Sequence, residues 1–241
     1  MVGFGGLLIS RHFFSGSNIV LDRTKEALPS PIGQVLVAGQ LEVDDSKPQT
    51  AATIVEEVNW EVPFAVQAPN ANWDYTHEEA CEEAAILMAK RFFYQQKIAG
   101  AEDVEAGLQQ IIKWEKEHLG FFQSTTAEET ARVAREMFSL QTQIITNPSV
   151  EQIKKALAEK KLILVPSAGR QLDNPFYKSP GPLYHMLLIK GYTLTRFITN
   201  DPGTRRGADY SYDFAAILSA NHDWNGGDVL NGAKVVIAVW M

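Results

Sequence analysis

Apolar positions along this chain recur first with a helical period and later in the short runs of strands. Ala84, Leu87, Met88, Arg91 and Phe92 fall at helical intervals and leave one apolar face and one charged face. Leu108, Ile111, Ile112, Glu115 and Leu119 mark a second helix within residues 104–119, its stripe apolar except for Glu115. Thr126 with Glu129, and Ser149 with Gln152, spell capping boxes. The first opens a helix with Val133, Met137 and Leu140 on one side, the second a helix with Ile153, Ala156 and Leu157. From Lys161 the texture changes. Residues 162–165 are an apolar strand, 183–192 and 196–200 read as strands joined by a turn at Thr193-Leu194-Thr195, and 234–239 as a final strand. A helix over 213–220 precedes that last strand, and 58–62 form an earlier one leading into Pro63. A helical first half and a strand-rich second half describe an α+β protein.

The first 59 residues carry no clear period. Residues 32–43 suit a short hairpin and 44–49 a linker, so the boundary is placed near there: a poorly specified segment over 1–55, then one domain over 56–241. Residues 2–9 are apolar but end at Arg11 and His12, far short of the roughly 20 residues that span a bilayer. They fit a frayed terminus or first strand, or the remainder of a targeting segment or tether. Membrane association is expected only if an upstream anchor is missing from this sequence, and the compartment is left open, with extracytoplasmic and membrane-tethered placements both compatible.

Composition narrows the function classes. A hydrophobic share of 45% and a charged share of 21% are those of an ordinary globular chain. The net charge of −7 argues against nucleic acid, which calls for clustered Lys and Arg. The basic pairs Lys160-Lys161 and Arg205-Arg206 read as solvated surface. No glycine-rich phosphate loop appears, so no nucleotide is implied. A single cysteine excludes an intramolecular disulfide.

That cysteine, Cys81, stands where a loop of turn formers, residues 67–74, gives way to the first amphipathic helix. Unpaired N–H groups and the positive end of the helix dipole stabilise a thiolate there, and the thiolate is the nucleophile. Two facts oppose this. A lone cysteine also serves as a small buried hydrophobe, and Glu79, Glu82 and Glu83 disfavour a lowered thiol pKa. The later strand pair supplies context. An antiparallel hairpin turning near Thr193 or Leu194 pairs residues whose numbers sum to about 386–388. His185 then lies opposite Asp201 or one position off, an imidazole beside a carboxylate. Asn200 competes for the place of Asp201, and strand alternation admits only one of them to the His185 face.

Residues 62–89 (VPFAVQAPNANWDYTHEEACEEAAILMA), 162–192 (LILVPSAGRQLDNPFYKSPGPLYHMLLIKGY) and 197–212 (FITNDPGTRRGADYSY) together resemble bacterial papain-like cysteine peptidases. The likeness is to stand-alone relatives of the double-glycine leader peptidases that process bacteriocins. It implies a two-lobed papain-like fold, a helical lobe with the nucleophile followed by an antiparallel sheet lobe with His and Asp. It implies hydrolysis of a peptide or protein substrate without a cofactor or metal. Cys81 matches the nucleophile, His185 its base, Asp201 the orienter and Gln67 the oxyanion donor. Ala80 departs from the family's glycine before the nucleophile, and the connection at residues 193–196 is short for it.

Rival readings use the same residues. An acyl transferase would pass the thioester to an amine on the same triad. A pseudoenzyme would keep the cleft and lose the chemistry. His77 and Cys81 at i, i+4 would face one way on a single helix, as in zinc-binding helices, but no second ligand cluster follows.

Overall fold

The computed structural model describes residues 28–31 and 56–241. The apolar run at 2–9, the hairpin over 32–43 and the linker at 44–49 lie outside the described residues. Nothing is therefore added to the boundary placed near residue 55.

The chain enters through β1 (Val58–Asn59) and a loop to α1 (Tyr75–Glu78). Three longer helices follow: α2 (Cys81–Phe93), α3 (Ala101–His118) and α4 (Ala127–Phe138). Next come β2 (Gln141–Thr146), α5 (Val150–Ala158), β3 (Leu162–Ala168), β4 (Tyr184–Tyr192) and β5 (Arg196–Asn200). The chain ends through β6 (Tyr210–Asp213), α6 (Phe214–Ala220) and β7 (Val235–Trp240). The strands form one antiparallel sheet in the order β2-β7-β3-β4-β5-β6, with β1 on β4. The protein is thus a mixed assembly of helices and antiparallel sheet.

Local chemistry explains the helix starts. Both capping boxes are formed: Thr126 and Ser149 each accept from the third residue on, and Glu129 and Gln152 reach back. Each such cap is worth about 1 kcal/mol. Strands β3 and β4 are buried along their whole length, so both faces are covered and alternation is lost. The helix α2 packs on β4 and β3, and α5 on the same two strands. One continuous apolar cluster therefore joins the helices to the sheet, with Trp60, Met88, Leu108 and Phe197 among its largest members. Among the described residues no helix is long and apolar enough to cross a membrane.

Two irregularities matter for the site. The β4–β5 register shifts by one residue between Ile189 and Gly191: Tyr192 pairs Phe197 near the turn, but Leu188 pairs Asn200 farther on. Lys190 is the extra residue of this bulge. Beside it β1 crosses so close that a Cβ on Gly191 would sit 2.1 Å from the Val58 carbonyl oxygen. Only glycine fits there.

Candidate active site

Cys81 is the first residue of α2, and its N–H therefore has no acceptor within the helix. Ala80, the residue before it, has φ −98°, an angle open to any residue, so this position does not demand the glycine its absence put in question. The Cys81 side chain reaches β4. Its sulfur accepts from the backbone N–H of Met186, the neighbour of His185. Its thiol donates to Glu82 Oε2 at 2.9 Å. Burial first, then the charge and hydrogen bond of Glu82, push the thiol well above its usual pKa, with Met186 pulling the other way. The expected stabilisation of a thiolate by the helix start is thus outweighed in this state. The thiol is neutral and its proton points at Glu82.

His185 and Asp201 are joined directly, His185 Nε2 lying 2.8 Å from Asp201 Oδ1, with both side chains buried. That bond leaves Nδ1 for a nucleophile. The two residues are not opposite each other. The β4–β5 pairing ends at Leu188 and Asn200, short of both residues; continued at that register it would set Gly203 across from His185, with Asp201 two residues away on the same face. A Cβ on Gly203 would come within 2.9 Å of His185 Cε1, so glycine leaves room for the ring. Without the bulge the same face would carry Asn200. Instead Asn200 points elsewhere, its amide donating to the Val62 carbonyl and accepting from the Asp209 N–H.

Asp201 gathers donors to an unusual degree. Oδ1 accepts from His185 and the Gly203 N–H, and Oδ2 from Tyr177 and Tyr212 hydroxyls at 2.6 Å each and from Asn174 Nδ2. Burial alone would raise its pKa, but the charge of His185 and these bonds lower it below the usual carboxylate range. The carboxylate stays ionised and fixes the His185 ring. Asn174, Tyr177 and Tyr212 stand in stretches with no period to single them out, and their convergence is a tertiary fact.

Gln67 is buried beside them, its N–H bonded to the Pro202 carbonyl. Its Nε2 donates to the carbonyls of His77 at 2.8 Å and Glu78 at 3.1 Å, while Oε1 has no partner. Donation to an oxyanion would replace one of those two bonds. Gln67, Cys81 and His185 all line one cavity of about 770 Å³. Glu78 and Glu79 stand on its wall together with Lys178 and the Arg205-Arg206 pair. The arginines are exposed, as expected, but at the rim of the cavity rather than on a remote surface.

The pairing of His77 with Cys81 on a single helix does not occur. Helix α1 ends at Glu78, and Glu79 and Ala80 separate it from α2. His77 instead lies between Asp74 at 2.7 Å and Glu105 at 2.8 Å. Burial opposes its protonation, but the two carboxylates prevail and raise its pKa. Among the described residues no group of three or more His, Cys, Asp or Glu side chains could hold a metal ion.

No family model and no curated protein matches the chain. Among solved structures it is similar to a Bacillus anthracis protein described as a candidate C39-like peptidase, with a TM-score of 0.51 and 12% identity. The match covers 78% of this chain and 98% of that one. At that identity the likeness concerns the fold alone: the two chains share a mixed arrangement of helices and antiparallel sheet.

Proposed function

We propose that the protein is a cysteine peptidase of the papain-like kind, its α-helical part carrying Cys81 and its sheet carrying His185 and Asp201. The observation that carries this reading is the bond from the Met186 N–H to the Cys81 sulfur, which seats the thiol beside His185 in one cavity. In the reaction His185 Nδ1 takes the thiol proton and the thiolate attacks the substrate carbonyl. Asp201 keeps the ring oriented and stabilises the imidazolium. The oxyanion is received by the Cys81 N–H and by Gln67 Nε2, which exchanges a carbonyl of α1 for the substrate. The imidazolium protonates the leaving amine, and water then resolves the thioester. The cavity volume and its walls of both charges suit an extended peptide.

A second reading is favoured by one observation, the thiol proton directed at Glu82. In that reading the cleft binds peptide and Cys81 does no chemistry. The test is turnover of a quenched peptide library by wild type and Cys81→Ala, with Tm measured on both. The peptidase predicts cleavage that vanishes in the variant, with Tm almost unchanged. Cleavage that survives Cys81→Ala would remove the thiol from the mechanism. Added amine that appears in the products would assign acyl transfer instead of hydrolysis.

A further inference from the structure

Cations without a counter-ion stand on the wall of the cavity that Cys81 and His185 share. Lys178 comes from the loop before β4, and Arg205 and Arg206 from the loop between β5 and β6. All three are exposed, and among the described residues none forms an ion pair with a carboxylate. Arg91, Arg132, Arg135 and Arg196 behave differently, each pairing with an acid. Acids are not scarce in a chain of net charge −7. The acids nearest the two arginines along the chain are engaged already, Asp201 by its five donors and Asp209 by Lys190 at 2.6 Å.

The loop holds these arginines in place before any ligand arrives. Thr204 Oγ1 accepts from the Arg206 N–H at 3.2 Å, and the Thr204 carbonyl from the Gly207 N–H at 3.1 Å. The Gly207 carbonyl in turn accepts from the Asp201 N–H at 2.9 Å, so the turn closes onto the residue that orients His185. The Arg206 guanidinium lies over the Phe176 ring, 4.8 Å from its centroid. Such a contact restrains the guanidinium and leaves its N–H donors open to a carboxylate. We propose that Arg205 and Arg206, with Lys178 adding to their field, form a carboxylate-binding subsite, and that the substrates are peptides with an acidic group near the cleaved bond. The inference rests on reading this cavity as the peptidase cleft.

The chain sets how near that group must be. Gly203 packs against His185 Cε1, and Arg205 and Arg206 follow two and three residues later. Their α-carbons are therefore no more than about 8 Å and about 11 Å from that of Gly203. An extended substrate advances roughly 3.3–3.6 Å per residue, which places the carboxylate within about three residues of the scissile bond. Glu78, Glu79 and Glu82 charge the part of the wall built from α1, α2 and their link, and none pairs with these cations. An acidic group is thus repelled from that side and drawn to the loops. Either an Asp or Glu side chain or the free C-terminus of the peptide supplies the same chemistry.

The test uses quenched peptide pools, identical except for Glu, Gln or Lys at one position, with amidated C-termini. The varied position is moved in turn around the cleaved bond. At low salt wild type should show a kcat/KM about tenfold higher for Glu than for Gln at the responsive position, and the ratio should shrink as salt is added. In Arg205→Gln/Arg206→Gln the ratio should fall below about twofold. In Arg205→Glu/Arg206→Glu the Lys pool should become the preferred one, an inversion that misfolding does not produce. A Gln pool with a free C-terminal carboxylate is the second probe: faster cleavage than its amide, lost in the glutamine variant, assigns the chain end as the source and also supports the subsite. Equal rates for acid and amide in both probes overturn the proposal, as does a Glu preference that both arginine variants keep. A failure of the peptidase reading looks different: wild type cleaves no pool. Fluorescence anisotropy of the same peptides on Cys81→Ala then decides, tighter binding of the acidic peptide supporting the subsite and equal binding overturning it.

Discussion

Two carboxyl sites of this protein are equally dry and carry opposite charge states. Asp201 is buried to 0% exposure and is ionised. Glu83 and Glu115, at the contact of α2 and α3, are also at 0%, and burial drives both the other way. Glu83 is pushed well above the carboxylate range and Glu115 to about 8, each burdened further by neighbouring acid charge. Burial does not separate the two sites. Donors do: five groups point at Asp201, whereas among the described residues the carboxyls of Glu83 and Glu115 have little beyond each other and the Glu83 N–H. The two glutamates are left to share a proton with each other. One site is built to hold charge against the sheet; the other holds a proton between helices.

The sharpest way to break the contrast is to remove the acceptor that the donors surround. Asp201→Ala should lower kcat/KM by about 10³ or more, because His185 loses its orientation, and should cost about 3–5 kcal/mol as the buried donors are orphaned. Both are read from steady-state kinetics and urea unfolding. The sign with pH follows from the depressed pKa: the Asp201 contribution to stability is present above the unfolded carboxyl pKa and is lost as pH falls through the folded value. Loss of activity with unchanged stability and an unchanged acid limb would mean that the donor shell does not hold the charge.

Gln67 sits between the two cases, its amide hydrogens bonded and its oxygen without a donor. Gln67→Ala should reduce kcat by about 10²–10³ while iodoacetamide labelling of Cys81 is largely kept, because the lost donor acts only on the transition state. Loss of labelling together with turnover would make Gln67 a brace for α1 rather than an oxyanion donor.

The smallest effect concerns the helix pair and shows only in stability. The pKa of Glu115 is raised in the folded state, so its contribution is complete below the unfolded pKa and is lost as pH rises toward about 8. Stability of wild type should therefore decline over that interval by an amount on the order of a few kcal/mol. Glu115→Gln should flatten the decline. A wild-type Tm that rises from pH 5 to pH 8 would contradict the shared proton.

Much of this was legible in the residues, and the omissions have physical causes. Periodicity and capping boxes located the long helices, since those signals are local. Strand β2 escaped because Gln141, Gln143 and Thr146 leave it half exposed at a sheet edge, without an apolar run. Strand β6 has four residues, too few to show a period. Cys81, His185 and Asp201 stood out by type and spacing and Gln67 only through the family resemblance, and the fold brings Cys81, His185 and Gln67 to one cavity. Glu82 was visible only as one of three nearby acids. Its contact with the sulfur depends on how deeply α2 sinks against β4, which spacing does not encode. The supposed His77–Cys81 face failed for the converse reason: nothing in Glu79-Ala80 announces that one helix ends there and another begins.

The bulge at Lys190 turns the β4–β5 hairpin into a counting device. Side chains alternate, so the partner of His185 depends on whether the number of residues between them is odd or even once the bulge is included. A single deletion or insertion within the paired strands, outside the connection at residues 193–195, would exchange the carboxylate for the amide of Asn200 without altering either residue. Length changes in this stretch should therefore be tolerated in pairs and rejected singly. A one-residue deletion that removes the bulge would, in effect, convert an aspartate-oriented site into an asparagine-oriented one by arithmetic alone.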